Sequence, residues 1–240
     1  MMSDVLRYAL FLVTVFLSNT IQVITGFAGA MLAMPPSIRL IGLESAKAIL
    51  NIVTMASCIY VVFCRWRKID YRELLKIILI MGAGMYTGIR LLNLFAPDRF
   101  LKCYGCLIIG IALKKLFVHR EIALPKIMLY ICLFAAGLVH GMFLSGGSFL
   151  IVYAVWALPD KEKFRSTVSA VWVVLNSCLL FDHWRAGYFQ PHVWKLLLLS
   201  LIPFFTAVFL GNRLVSRMSS RRFLLLTYLL LLVSGLLVLV

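Results

Sequence analysis

Eight apolar stretches, at about residues 6–41, 46–64, 74–96, 100–117, 126–158, 167–182, 193–215 and 222–240, follow one another with only short basic loops between them. A run of about 20 apolar residues is what a helix needs to cross a bilayer. This succession therefore predicts an all-α membrane protein. Composition agrees: the chain is 63% hydrophobic and 14% charged, with a mean hydropathy of +1.01. Soluble domains average about 45–50% apolar. No polar stretch is long enough to fold alone, so residues 1–240 read as a single transmembrane domain. The first apolar run is too long for a signal-peptide core and carries no convincing cleavage site. A net charge of +15 would suggest nucleic acid in a soluble chain. Here the 24 Lys and Arg fall mainly in loops and at helix ends, where they set topology and meet lipid headgroups. Membrane lipids, and no nucleic acid, are the expected macromolecular surroundings, and the expected location is the cell membrane, multi-pass. A homo-oligomer is compatible with all of this and is not read from it.

The two halves of the chain resemble each other, one repeat covering about 6–117 and the second about 126–240. "RWRKIDY" at 65–71 pairs with "HWRAGYF" at 183–189, setting Trp66 and Arg67 against Trp184 and Arg185. "GIRLLNLFAPDRFL" at 88–101 pairs with "GNRLVSRMSSRRFL" at 211–224. The glycine-rich runs "ITGFAGAMLAMPP" and "HGMFLSGGSFLIV" fall in equivalent places. Repeats at half-length are a common transporter signature. If every stretch crosses once, the 24 basic residues divide 12 against 12 between the two sides. If the first and fifth stretches instead enter and return at their glycines, the division becomes 16 against 8, which the positive-inside rule prefers. At 1.5 Å per residue these two stretches would span roughly 50 Å of straight helix, too long for one crossing. The expected architecture is therefore two inverted four-segment repeats, each opening with a broken or re-entrant helix.

A helix broken inside a membrane frees backbone groups that lipid cannot satisfy, so the break must face protein or a wet cavity. The half-helix that restarts there aims its N–H groups and positive dipole end at that cavity, and small residues let an anion come close. Two such ends meeting near the midplane would make an anion site without a buried full charge. The bland alternative is that glycines there only allow close helix packing. Polar neighbours favour the site: Asn19, Thr20, Gln22 and Thr25 near the first break, and His140, Ser145 and Ser148 near the second. Gln22 and His140 stand out, each just before a break and neither at a membrane surface. Asn51, Thr54, Thr167, Ser169 and Asn176 lie in the second helix of each half and are candidates for the same cavity, or packing groups.

"NTIQVITGFAGAMLAMPP" and "GLVHGMFLSGGSFLIVYA" resemble the two glycine-rich motifs of the TauE/SafE sulfite exporter family, and motif order, length and the four-plus-four pattern extend the resemblance over nearly the whole chain. The resemblance implies transport of sulfite, organosulfonates or related sulfur-containing anions. It carries Gln22, Thr25, Gly26, Phe27, Gly29, His140, Gly141, Gly146 and Gly147 into a substrate site, to which the residue-level reading adds Ser145 and Ser148. Many members have a fuller triple-glycine run followed by proline; here the copies read "GFAGA" and Gly146-Gly147 without that proline, a departure that bears on substrate more than on class.

The expected function is alternating-access transport of a small anion. An anion channel with the same site, or an intramembrane enzyme, is the alternative. Phe143 stands where an intramembrane serine protease would carry the first glycine of Gly-x-Ser-Gly, and there is no His-Glu-x-x-His zinc motif. All nine acidic residues lie in loops or at segment ends, leaving no mid-depth carboxylate for acid–base chemistry. His140 is the one neutral-range titratable group expected inside a span. No nucleotide-binding loop is present, and no cofactor or metal is expected. Cys103 and Cys106 form a C-x-x-C in an apolar segment, where small-residue packing outweighs redox or metal chemistry. Trp66, Trp156, Trp184 and Trp194 sit near segment ends as interfacial anchors. "KEKFRST" at 161–167 reads as a basic loop, with Arg165 as a gate the competing reading.

Overall fold

The computed structural model describes residues 3–92 and 125–219, together with isolated helical positions at 109, 110, 113, 222, 225, 229, 232, 233 and 236. The expected segments at 100–117 and 222–240 thus fall largely outside the described residues, as do Cys103 and Cys106. Eight α-helices are described: α1 Asp4–Thr25, α2 Ala28–Ile41, α3 Leu43–Arg65, α4 Tyr71–Leu92, α5 Lys126–Phe143, α6 Gly147–Ala157, α7 Lys161–Arg185 and α8 Pro191–Ser216. A 3₁₀ turn at Trp66–Lys68 links α3 to α4. No strand occurs among the described residues. Six helices (α1, α3, α4, α5, α7 and α8) are long and apolar enough to cross a membrane, while α2 and α6 are shorter.

Both glycine-rich stretches are broken and double back. α1 ends at Thr25, where Gly26 turns left-handed at φ 85° and its N–H bonds to Gln22 O at 2.7 Å. This is a helix stop that a residue without Cβ makes cheaply. α2 then returns alongside α1. At its far end Leu40 O accepts from Arg7 Nε and Nη2 at 3.0 and 2.6 Å, so the end of α2 lies beside the start of α1. α5 stops in the same way. Leu144 takes φ 57°, and its N–H bonds to His140 O at 2.9 Å. Leu144 is the single non-glycine residue with positive φ among those described, a strained choice for a branched side chain. α6 folds back so that Tyr153 packs against Tyr130, the rings tilted by 33° with centroids 6.2 Å apart.

α3 and α7 run antiparallel through the middle. Arg65 pairs with Glu162 at 2.9 Å at one end, and Asn51 Nδ2 approaches His183 Nδ1 at 3.5 Å at the other. Three expectations change here. The segment 161–167 is no loop but the first turns of α7, started by Asp160, whose carboxylate accepts from Lys163 N at 2.8 Å. α7 therefore begins six residues earlier than the apolar stretch, because the N-terminal cap outweighs the charge of Lys161, Glu162 and Lys163. Arg165 and Lys47, counted among the loop charges, are both buried inside their helices, at 2% and 3% exposure.

Glycines set the spacing of two further helix pairs. Gly84 and Gly88 of α4 face Phe134 O and Leu138 O of α5, while Gly137 and Gly141 of α5 face Met81 O and Met85 O of α4. A Cβ at any of the four would fall inside the contact distance of a backbone carbonyl. The i,i+4 glycine pairs on both helices let the backbones touch, as small residues do in membranes. Gly211 of α8 plays a similar part against α1, where a Cβ would stand 2.9 Å from Thr20 O.

Candidate functional site

The two restarted helices meet. Gly147, opening α6, lies against the ring and carbonyl of Phe27, and a Cβ there would stand 3.1 Å from each. At the next residue, Ser148 Oγ donates to Met31 Sδ at 2.6 Å. Beside this junction is a cavity of about 230 Å³, counted to its mouth, lined by Gln22, Phe27, Ala30, Thr54, His140, Leu144, Gly147, Trp172 and Asn176. The free space inside it is about that of one water molecule, so a sulfite-sized anion requires the walls to move apart. Its polar lining is buried, with Gln22, Thr54, His140, Trp172 and Asn176 all under 5% exposed.

The first break is capped by side chains. Thr25 Oγ1 accepts from Phe27 N at 3.3 Å and Ala28 N at 3.2 Å, and Gln22 Oε1 accepts from Gly29 N at 2.8 Å. The freed amides of α2 are thus answered from within the same hairpin, and Gln22 acts first as a cap. Its amide nitrogen donates to Cys58 Sγ at 3.1 Å. Gly29 must be small, because a Cβ there would stand 2.6 Å from Ser18 O. Gly26 lies against Arg165, a Cβ meeting its carbonyl at 3.1 Å. Arg165 Nε donates to Val23 O at 2.7 Å, placing a guanidinium at the carbonyl end of α1, where the helix dipole is negative.

The second break is built differently. The N-cap of α6 is Gly146, which has no side chain to offer its amides. Ser145 Oγ instead turns back to Phe143 O at 2.9 Å. His140 Nε2 donates to Asn176 Oδ1 at 2.9 Å, and its ring lies on Trp172 with centroids 4.7 Å apart. Two buried polar atoms of lining residues have no partner among the described residues: His140 Nδ1 and the indole Nε1 of Trp172.

Of the residues expected from the sequence, the cavity brings together Gln22, Phe27, His140 and Gly147. Thr25 and Gly29 stand behind them as the cap of α2, and Gly26 makes the turn. Ser145, Gly146 and Ser148 lie in or next to the second break without lining the cavity. Gly141 is placed in the α4–α5 seam against Met85. Thr54 and Asn176 line the cavity as their helix positions suggested, whereas Thr167 Oγ1 accepts from Asp70 N at 2.9 Å, at the start of α4. Trp172, Ala30 and Leu144 were missed. A signal for Trp172 existed: Arg165, Ser169, Trp172 and Asn176 are spaced i, i+4, i+7, i+11 on one face of α7, and Lys47, Asn51, Thr54 and Cys58 repeat that spacing on α3 118 residues earlier.

A family model for the sulfite exporter TauE/SafE matches residues 10–238. The chain belongs to the TauE/SafE sulfite exporter family. Family membership and six candidate spans make it a multi-pass membrane protein of sulfite-exporter type, whose class implies a small anionic substrate and lipid surroundings. TauE/SafE is a transporter family, which is consistent with the expectation of a carrier. No curated protein and no solved structure matches.

Proposed function

We propose that this TauE/SafE-family chain carries a small sulfur oxyanion, of the sulfite or organosulfonate kind, by alternating access, with the cavity at the meeting of α2 and α6 as the binding site. The observation that carries the reading is the indole N–H of Trp172, without a partner among the described residues and buried in the wall of a cavity that the two broken helices line together with α3 and α7. A buried donor without an acceptor costs about 1–3 kcal/mol, and an oxyanion in the cavity would remove that cost. His140 stands beside this indole: with Nε2–H given to Asn176, its Nδ1 could donate to the anion only when the ring is protonated.

Inverted repeats are the second part of the proposal, supported by position. Gly26 and Leu144, the left-handed stops, are 118 residues apart; so are Gln22 and His140, Thr54 and Trp172, and Cys58 and Asn176. The hairpins double back from opposite sides. The start of α1 lies with the start of α3, and the start of α5 lies, through Tyr130, Tyr153 and Glu73, with the start of α4. The second side is also that of the basic cluster 65–76, which the positive-inside rule puts in the cytoplasm. A lining so deeply buried favours a gated carrier over an open channel.

The test is binding of sulfite, thiosulfate, sulfonates and carboxylates to the purified protein, followed by counterflow in proteoliposomes. Trp172→Phe and His140→Ala are each expected to weaken binding about tenfold to a hundredfold, the worth of a hydrogen bond to a charged group. Unaltered binding in both would remove the site.

A further inference from the structure

Lys47 is the buried cation that neither the fold nor the cavity uses. It sits in the second turn of α3 at 3% exposure, with no hydrogen bond and no ion pair among the described residues. Asp182, His140 and His183 lie within electrostatic range without touching it. Its counterpart 118 residues on, Arg165, is occupied, bonding Val23 O at 2.7 Å. A charge taken out of water is stable only when paired. Lys47 thus carries a largely buried ammonium, and Asp182, the counter-charge within range among the described residues, does not touch it.

Its position says which other counter-charge can touch it. Lys47, Asn51 and Thr54 share one face of α3, at i, i+4 and i+7. Thr54 lines the cavity, so Lys47 stands about 10 Å further toward the start of α3 at 1.5 Å per residue. The side chains between them are polar. Asn51 Nδ2 donates to Asn176 O at 3.2 Å, its Oδ1 has no partner among the described residues, and Asn176 holds His140 at the cavity wall. Ser45 Oγ and His192 Nε2, 3.1 Å apart, lie beyond Lys47 at the same end.

Resting on the transport reading above, we propose that Lys47 is a second, transient anion site on the path between the central cavity and the side of the membrane where α1 begins. The anion pairs with the ammonium on its way in or out and is passed along the Asn51–Asn176 track to His140. The cation speeds passage and does not touch the ion at rest in the cavity.

Initial rates of radiolabelled sulfite uptake into proteoliposomes, at sulfite well below saturation, test this with Lys47→Met and Lys47→Arg. Lys47→Met is expected to slow uptake about tenfold or more and to flatten its dependence on ionic strength, as loss of an attracting charge does. Sulfite binding to the central cavity in detergent is expected to weaken by no more than about tenfold to twentyfold, the Coulomb worth of a unit charge about 10 Å away at an effective dielectric of about 20, and Lys47→Arg to restore both binding and uptake. Because the methionine removes an unpaired buried charge, the melting temperature of Lys47→Met is expected to equal or exceed that of the parent. Undiminished uptake by Lys47→Met overturns the proposal. So does a joint loss of uptake and thermal stability that arginine does not restore, since that describes a structural lysine. If the parent protein itself neither binds nor moves sulfite, the transport reading fails and this proposal falls with it; a parent that transports beside an unaffected Lys47→Met sinks this proposal alone.

Discussion

Gly141 is carried into a substrate site by family resemblance, yet it lies where α5 touches α4, and the two placements predict different things for Gly141→Ala. A Cβ on Gly141 would sit on the order of 1 Å inside ordinary contact with Met85 O. The obstacle is a backbone carbonyl, which cannot rotate away, so α4 and α5 must part. Overpacking of this kind costs about 1–3 kcal/mol, here at the upper end because three more glycines lock the same seam. Alanine returns about 0.5–1 kcal/mol through lower chain entropy. The net is a destabilisation of about 2 kcal/mol. Gly82 supplies the control. It is on α4, between Met81 and Gly84 of the seam but turned away from α5, and a Cβ there meets nothing within 4 Å among the described residues. Gly82→Ala should therefore collect only the gain and stabilise by about 0.5–1 kcal/mol. Reversible unfolding in a detergent–SDS titration measures both. Sulfite affinity of the folded Gly141→Ala fraction should match the parent. A Gly141→Ala protein with parental stability and weakened sulfite binding would refute the seam and return Gly141 to the substrate.

Two further outcomes follow from the capped first break. Thr25→Val keeps the shape but removes the oxygen that receives Phe27 N and Ala28 N, so it should cost about 1–2 kcal/mol in the same titration, while Thr25→Ser should cost little. Gln22→Glu keeps the acceptor for Gly29 N and adds a negative charge to the lining. A unit charge about 6 Å from the ion at an effective dielectric of about 20 repels it by roughly 3 kcal/mol, so sulfite Kd should rise about a hundredfold by calorimetry, and an unchanged Kd would mean that no anion occupies the cavity.

The elements were legible where apolar length and backbone chemistry decide the matter. Both broken helices could be read from residues 24–36 and 140–152 because a membrane makes freed amides expensive, and glycine marks where the chain accepts that cost. Lys47, Arg165 and the start of α7 were misread for one reason: charge was taken as a sign of the surface. In a bundle a helix face can stay buried to its ends, and Arg165 stays buried because the carbonyl end of α1 receives it. Trp172 was hidden among apolar neighbours, since sequence does not say which aromatic in a hydrophobic run turns its N–H to a cavity. Gly141 was hidden by the two uses of glycine. Beside a break it frees the backbone, one turn away it lets helices touch, and only the facing carbonyl tells them apart.

The same glycines bear on what could move. If the two halves of the sequence were the rocking bodies, α4 and α5 would have to separate at every cycle, for they belong to different halves. Yet their backbones are in contact at four glycines, and α1 is held to α8 across Gly211 in the same manner. Such close, dry packing resists sliding more than the polar face between α3 and α7, where single hydrogen bonds from Asn51 and one exposed ion pair at Arg65 join the helices. A surface ion pair contributes at most about 1 kcal/mol, so it can be exchanged cheaply. The mobile units that fit the packing are therefore composite. In an alternating-access cycle α5 would travel with α4, α1 would travel with α8, and the two hairpins α1–α2 and α5–α6 would close on each other at Phe27 and Gly147. The cavity lies where those two composites meet, which is where a change in their separation would open it to one side and then the other.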